Sequence, residues 1–175
     1  YAMMREAAAR GHRLLACEPK HLAWSRGDRV AAVVREIGIT GDLDDWFVEH
    51  AAGRRVALAD VQAVLMRKDP PFDLDYYFAT LLLERARGTT TIINDPRGLR
   101  EQNEKLAVLE YPDLCPPTIV TRETTRLRSF LGEQGGEIVV KPLDASGGFG
   151  VFHVRKGDPN TGAILEQATQ LGRRW

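Results

Sequence analysis

Apolar positions follow strand-like spacing in some segments of the chain and helix-like spacing in others. Short apolar runs bounded by turn residues predict strands at residues 13–17, 22–24, 29–37, 61–66 and 90–93. Runs of good helix formers, closed by glycine or opened by proline, predict helices at residues 1–10, 74–87 and 96–109. Residues 22–24 and 29–37 flank a turn at 25–28 and are expected to form a β-hairpin. The alternation of strands with helices favours an α/β domain with a largely parallel sheet.

The pattern changes after Pro116-Pro117. Apolar runs there predict strands at residues 118–121, 138–141 and 151–154. Helical spacing predicts helices at residues 122–134 and 160–171, and Gly135-Gly136 closes the first of them. We therefore expect a second, smaller α+β unit that begins near residues 100–117.

Composition and charge exclude several classes of function. The 175 residues carry 24 basic and 24 acidic side chains, so a broad nucleic-acid surface is not expected. No apolar run approaches membrane-spanning length, and no signal peptide is recognisable. Cys17 and Cys115 are far apart, which indicates reduced thiols, and no His/Cys spacing suggests zinc. Because the chain starts at Tyr1 and stops at Trp175, just after a predicted helix, we expect a fragment of a longer protein.

The segment 137–150 joins a short apolar strand to a glycine-rich loop through Lys141. Alternation places Ile138 and Val140 on one face of the strand, and Val139 and Lys141 on the other. Glycines allow backbone N–H groups to approach phosphate oxygens, and the lysine adds a positive charge, so the segment suits a polyphosphate. An ordinary hairpin turn fits the same residues. The spacing is neither that of a Walker A motif nor that of the kinase and dinucleotide glycine loops.

Two further segments carry charges that could bind a ligand. Arg67-Lys68-Asp69 follows the strand 61–66, and ligands collect beyond the carboxyl ends of strands in open α/β sheets. These charges could hold an acidic small molecule, although a solvated turn fits them equally. Asn103-Glu104-Lys105 falls within the predicted helix 96–109, where a lysine is ordinarily a surface cation.

Five segments occur in one order and together resemble a known family. They are Met66-Arg-Lys-Asp-Pro-Pro-Phe-Asp73, Ile93-Asn-Asp-Pro96, Asn103-Glu-Lys105, Pro117-Thr-Ile-Val-Thr-Arg122 and Val140-Lys-Pro-Leu-Asp-Ala-Ser-Gly-Gly148. The set is similar to the prokaryotic glutathione synthetases, members of the ATP-grasp superfamily, and it covers essentially the whole chain. The Arg-Lys-Asp-Pro-Pro-Phe-Asp string is quite specific for this family, whereas Asn-Glu-Lys and Lys-Pro-Leu-Asp are shared more widely among ATP-grasp ligases.

The resemblance implies a division into two domains. Residues 1–101 would form the N-terminal substrate-side domain, lacking its first strand, with a mostly parallel, Rossmann-like (pre-ATP-grasp) sheet. Residues 102–175 would form the first α+β part of an ATP-grasp domain whose C-terminal part would be missing.

The resemblance also assigns binding residues. The ATP-binding residues would be Lys105, Lys141, Asp144, Ser146, Gly147, Gly148 and Gly150, with the loop closing over the phosphates. Arg67, Lys68 and Asp69 would bind the substrate. No residue is assigned a catalytic role, and the metal ligands are expected in the missing C-terminal part. Ala145 stands where the family often has glycine, so loop closure would be strained if this position required a positive φ.

The activity implied by the resemblance is ATP-dependent ligation of γ-glutamylcysteine and glycine to glutathione through an acyl phosphate, giving ADP and phosphate. ATP with Mg²⁺ or Mn²⁺ would be the cofactors, and neither nucleic acid nor a membrane would be a partner. By family analogy the protein would be a cytoplasmic homo-oligomer, such as a tetramer. Another ATP-grasp carboxylate–amine ligase, or a non-catalytic ATP-binding module, is the alternative. The 175 residues alone are expected to be inactive.

Overall fold

A computed structural model describes residues 1–27 and 29–175 and divides the chain into two units. The first unit comprises Tyr1–Lys68 and Leu74–Arg100, and the second comprises Asp69–Asp73 and Glu101–Trp175. Helices and strands occur in both units, so the predicted α/β class is confirmed. Asp28, the last residue of the predicted turn at 25–28, lies outside the described residues. No helix in the described part of the chain has the length and apolar character needed to cross a membrane.

One long strand, β3 (Ala31–Ile39), organises the first unit because its two halves pair with different neighbours. Four shorter strands lie antiparallel to it: β1 (Leu14–Ala16), β2 (Leu22–Ala23), β4 (Phe47–Glu49) and β5 (Arg54–Ala57). The pairing of β2 with β3 confirms the predicted hairpin. Helix α1 (Ala2–Ala9) contacts β1 and β3. The core of the sheet consists of buried apolar residues on or beside β3 and on β5: Val30, Ala31, Ala32, Val34, Ile37 and Val56.

Two short strands, β6 (Ala63–Leu65) and β7 (Thr91–Ile93), pair parallel, and an isolated parallel bridge joins Arg87 to Thr90. Helix α2 (Leu74–Arg85) connects the two strands and buries Leu83 almost completely. Helix α3 (Pro96–Glu101) follows β7. The largely parallel sheet predicted from the sequence is therefore only partly seen. The connections from β2 to β3 and from β3 to β4 are shorter than the roughly dozen residues of a parallel crossover, so these strands pair antiparallel.

In the second unit, a β-hairpin packs against helices. Its helices and strands are α4 (Thr124–Glu133), β8 (Glu137–Val140), β9 (Phe152–Arg155) and α5 (Thr161–Thr169). The hairpin pairs Ile138 with Val154, and both side chains are buried against Leu131 of α4. Val139 is exposed on the opposite face, so the predicted alternation along β8 is confirmed. The loop that joins β8 to β9 is the glycine-rich segment.

The chain between α3 and α4 departs most from the predictions. The predicted helix 96–109 stops at the end of α3, and short 3₁₀ helices follow at Ala107–Glu110 and Pro112–Leu114. Residues 118–121 do not form the predicted strand; the Thr118 hydroxyl donates to the Pro116 carbonyl, and Thr121 Oγ1 accepts from the Glu123 N–H. Such local bonds compete with strand pairing. The sequence does not predict strands β4 and β5, because each is short and all three residues of β4 are exposed.

Candidate ATP site and substrate-side edge

Asn103 forms the turn that follows helix α3. Its Oδ1 accepts hydrogen bonds from the backbone N–H groups of Lys105 at 2.9 Å and Leu106 at 3.2 Å. An asparagine side chain that bonds the backbone two or three residues ahead favours a turn over a continued helix. The prediction that residues 103–105 lie within a helix is therefore wrong. Asn103 Nδ2 also donates to the backbone carbonyl of Leu143 at 3.4 Å, which ties the turn to the glycine-rich loop.

The turn directs Lys105 onto the same loop. Lys105 Nζ donates to the backbone carbonyl of Ala145 at 2.5 Å and lies 2.7 Å from Glu104 Oε1. Only 20% of the Lys105 side chain is exposed. A long, flexible cation that loses most of its contact with water and gains specific acceptors is not an ordinary surface lysine. The structure therefore places the ammonium of Lys105 at the base of the glycine-rich loop.

Lys141 and the loop glycines lie immediately beyond β8. Lys141 is exposed, whereas the following Pro142 is buried. Gly147 and Gly148 have φ of 61° and 80°, and a Cβ added at either would meet nothing within 4 Å. Open space beside backbone with positive φ lets another molecule approach the peptide groups closely. The middle of the loop is thus accessible to a phosphate, as the polyphosphate interpretation requires.

The tip of the loop is a pair of overlapping turns. The Phe149 N–H donates to the Ser146 carbonyl at 3.0 Å, and the Val151 N–H donates to the Gly148 carbonyl at 3.2 Å. Gly150 has φ of 70°, and a Cβ there would lie 2.9 Å from Cγ of Pro142. Phe149 is 76% exposed, which is unusual for an aromatic side chain.

Ala145 is not strained, because its φ is not positive. Among the described non-glycine residues, only Gln170 and Leu171 have a positive φ. The Ala145 methyl group is buried, and its carbonyl accepts the bond from Lys105. The backbone at Ala145 therefore accommodates an alanine without the strain of a positive φ.

Asp144 is held by an arginine that the sequence analysis did not identify. Its Oδ1 accepts hydrogen bonds from Arg174 Nε at 2.8 Å and Nη2 at 2.6 Å. The Asp144 carboxylate therefore contacts a cation within the protein. Asn103 precedes Glu104-Lys105 in a motif shared with the family, and this position is the sequence feature that could have indicated its role. Arg174 had no such signal, because nothing local relates it to Asp144.

In the first unit, Arg67 and Lys68 follow the carboxyl end of β6. Arg67 is exposed, and Lys68 Nζ lies 5.2 Å from the centroid of the buried Tyr76 ring, in cation–π geometry. Because β6 and β7 are parallel, the residues after β7 lie at the same edge of the pair. Asp69 begins the short segment that groups with the second unit, so the structure does not place the three predicted substrate residues in one unit.

Asp95 caps helix α3 at the carboxyl end of β7. Its Oδ1 accepts hydrogen bonds from the backbone N–H groups of Arg97 at 2.8 Å and Gly98 at 3.3 Å. These N–H groups, aided by the charge of Arg87, hold the pKa of Asp95 below its usual value. Asp95 therefore fixes the start of α3.

Within residues 1–27 and 29–175, three or more histidine, cysteine, aspartate or glutamate side chains nowhere come together as a metal site.

Comparison with known proteins gives the same class for both units. Residues 104–175, which contain both lysines and the glycine-rich loop, match the family model of the prokaryotic glutathione synthetase ATP-grasp domain, so this part of the chain is of the ATP-grasp class. Residues 1–100 match the model of the prokaryotic glutathione synthetase N-terminal domain. The chain therefore belongs to the prokaryotic glutathione synthetase family.

Individual relatives extend over the whole chain. A glutathione synthetase of Ralstonia nicotianae is 43% identical over 175 residues, covering 99% of this chain and 53% of the relative. Glutathione synthetases of Salmonella typhi and Escherichia coli are 42% and 41% identical, and each match covers all of this chain and 55% of the relative. The chain thus spans about half the length of the curated relatives it matches.

Proposed function

We propose that the complete protein containing this chain is an ATP-dependent ligase that joins γ-glutamylcysteine to glycine and forms glutathione, ADP and phosphate. Family membership supports the reaction class. The observation that carries the proposal is the contact between Lys105 Nζ and the Ala145 carbonyl at 2.5 Å. It brings a largely covered cation from one segment to the glycine-rich loop of another, as a triphosphate site requires.

We assign ATP to this loop and to the two lysines. An ammonium has three N–H donors, and the Glu104 and Ala145 contacts account for two of those on Lys105, leaving one for a phosphate oxygen. Lys141 supplies a second, exposed cation beside the loop. Backbone groups at Ser146, Gly147, Gly148 and Gly150 would contact the phosphates. Asp144 would act through the loop backbone, since its carboxylate bonds Arg174.

We assign the dipeptide to Arg67, Lys68 and Asp69. γ-Glutamylcysteine carries two carboxylates and one ammonium, so two cations and one carboxylate match its charges. The planar guanidinium of Arg67 suits bidentate recognition of a carboxylate better than an ammonium would. This substrate-side role belongs to residues 1–101, and residues 102–175 would provide the first part of the ATP-grasp domain.

The proposed chemistry has two steps. The cysteinyl carboxylate attacks the γ-phosphorus of ATP, the bond to ADP breaks, and an acyl phosphate forms. The amine of glycine then attacks the acyl carbon, phosphate leaves, and the amine loses a proton. An acyl phosphate hydrolyses readily, so the loop must exclude water while the intermediate exists. The lysines stabilise the negative charge on the phosphoryl group being transferred.

A divalent cation, Mg²⁺ or Mn²⁺, would neutralise phosphate charge in the bound nucleotide. The described residues provide no cluster of ligands for it. We therefore propose that its ligands belong to the additional length found in the relatives. A cytoplasmic location and a homo-oligomeric state, such as a tetramer, are likewise proposed by analogy with the family.

The test is phosphate release by the complete gene product with ATP, Mg²⁺, γ-glutamylcysteine and glycine, with each substrate omitted in turn. We expect phosphate release only when γ-glutamylcysteine and glycine are both present, with glutathione identified by mass spectrometry. Release with a different carboxylate or amine, and none with this pair, would identify another ATP-grasp ligase. ATP binding without release for any pair would favour a non-catalytic module.

A further inference from the structure

The C-terminal segment of the chain restrains the glycine-rich loop. Arg174 donates from both Nε and Nη2 to one oxygen of Asp144, and only 22% of the Arg174 side chain is exposed. Beside this ion pair, the Leu143 N–H donates to the backbone carbonyl of Trp175 at 3.2 Å. Two adjacent loop residues are therefore bonded to two adjacent residues of the C-terminal segment.

The Asn103–Lys105 turn bonds the same part of the loop. Its contacts go to the carbonyls of Leu143 and Ala145, the residues on either side of Asp144. Residues 143–145 are thus held by two segments distant in sequence. In contrast, the turn bonds of the tip, residues 146–151, are internal, and Gly147 and Gly148 face open space.

We propose that Arg174 is a positioning residue of the ATP site. By holding Asp144, it fixes residues 143–145, and thereby the Ala145 carbonyl that orients the ammonium of Lys105. The tip of the loop then closes from a fixed base. This inference rests on the proposed assignment of the loop to ATP. It differs from an ordinary surface ion pair, which contributes little, because the arginine is mostly covered and the neighbouring backbone is bonded as well.

The chain offers a matched control at the preceding residue. Arg173 is exposed, and its side chain makes no hydrogen bond or ion pair in the described structure. Arg174→Gln and Arg173→Gln remove the same charge one residue apart. In the complete protein, we expect Arg174→Gln to raise the Kd for ATP, measured by calorimetry, by about threefold to fivefold. Arg173→Gln should leave this Kd unchanged.

A second measurement reports on the loop without ATP. Phe149 is exposed at the tip, so chymotrypsin cleavage after this residue measures loop order. Arg174→Gln should accelerate this cleavage several-fold, and Arg173→Gln should not. Because the two residues act as a pair, adding Asp144→Asn to Arg174→Gln should produce little further change in either quantity.

Equal Kd values and equal cleavage rates for Arg174→Gln and Arg173→Gln would overturn the inference. Should Arg174→Gln fail to fold, Arg174→Lys replaces it, because a lysine keeps the charge but loses the paired donors. A rise in Kd and in cleavage rate that is smaller than the rise expected for glutamine supports the inference. Unchanged Kd and cleavage rate in Arg174→Lys overturn it. Lack of glutathione synthesis by the unmodified protein would refute the proposed ligase. The ATP-affinity and cleavage comparisons would still test Arg174.

Discussion

The ammonium of Lys105 lies 2.5 Å from the backbone carbonyl oxygen of Ala145. This contact joins a turn that Asn103 forms to a loop that glycines permit. Neither segment would be a convincing phosphate site alone, because lysines and glycine turns are both common on protein surfaces. Their contact in one unit is the strongest structural support for a triphosphate site.

Replacing either lysine should weaken ATP binding by the complete protein. A hydrogen bond to a charged group contributes about 1.5–3 kcal/mol, so Lys105→Met should raise the Kd for ATP by about ten- to hundredfold. Lys141→Ala should act in the same direction. Lys156→Met removes a charge from an exposed position after β9 and serves as the control. Unchanged ATP kinetics in Lys105→Met or Lys141→Ala would remove that lysine from the site.

Arg67→Ala should affect the dipeptide more than the nucleotide. Loss of a guanidinium that binds a substrate carboxylate should raise the KM for γ-glutamylcysteine by about tenfold or more, with a smaller change in the KM for ATP. Initial rates at varied concentrations of each substrate measure the two constants. Arg10→Ala, which removes an exposed arginine paired with Glu6, is the control. A larger effect on ATP would show that the 67–69 loop is misassigned.

Gly150→Ala and Gly132→Ala should change stability in opposite directions. At Gly150 the new methyl group would meet Pro142 and φ is 70°, so the free energy of unfolding should fall by about 1–2 kcal/mol. At Gly132, within α4, a Cβ meets nothing within 4 Å, so alanine should raise the free energy of unfolding by about 0.5–1 kcal/mol. Urea unfolding followed by circular dichroism measures both. The same change in the free energy of unfolding for both variants would contradict the described loop conformation.

The charge of Asp95 should stabilise the protein in a pH-dependent way. Its pKa is lower in the folded protein than in the unfolded chain, so its stabilisation is present above the unfolded value of about 3.9 and is lost as the pH falls through the folded value. Asp95→Asn keeps an acceptor for the cap but cannot ionise. Urea unfolding at pH 7 should show a less stable variant, and the difference should shrink below about pH 4. If the difference in free energy of unfolding between the two proteins does not depend on pH, the charge of Asp95 does not contribute to stability.

Residues 1–175 alone should not synthesise glutathione. The chain spans about half the length of the curated relatives it matches, and we propose that the metal ligands lie in the additional length. The purified 175-residue chain, supplied with ATP, Mg²⁺ and both substrates, should produce no glutathione detectable by mass spectrometry. The complete gene product, assayed in parallel, is the control. Product formed by the short chain would mean that it contains a full active site.

Most helices and strands could be predicted from the sequence because each depends on neighbouring residues. The apolar alternation of β8 and the helix formers of α2 act within a few residues of chain, and the structure confirms both elements. The errors fall where side chains compete with backbone pairing, as at Asn103, or where a strand is too short to show a period, as at β4.

The candidate site likewise has features that the sequence predicts and contacts that only folding produces. The presence of Lys105, Lys141 and the loop glycines, and their resemblance to a family, are properties of the linear chain. Folding decided that Lys105 bonds Ala145, that Asn103 bonds Leu143 and that Arg174 holds Asp144. Each of these contacts joins residues that are distant in sequence, and no local preference specifies such a pair. Packing of the second unit brings these side chains together, and a polar group that loses part of its contact with water is stabilised by a hydrogen bond to a partner in the protein.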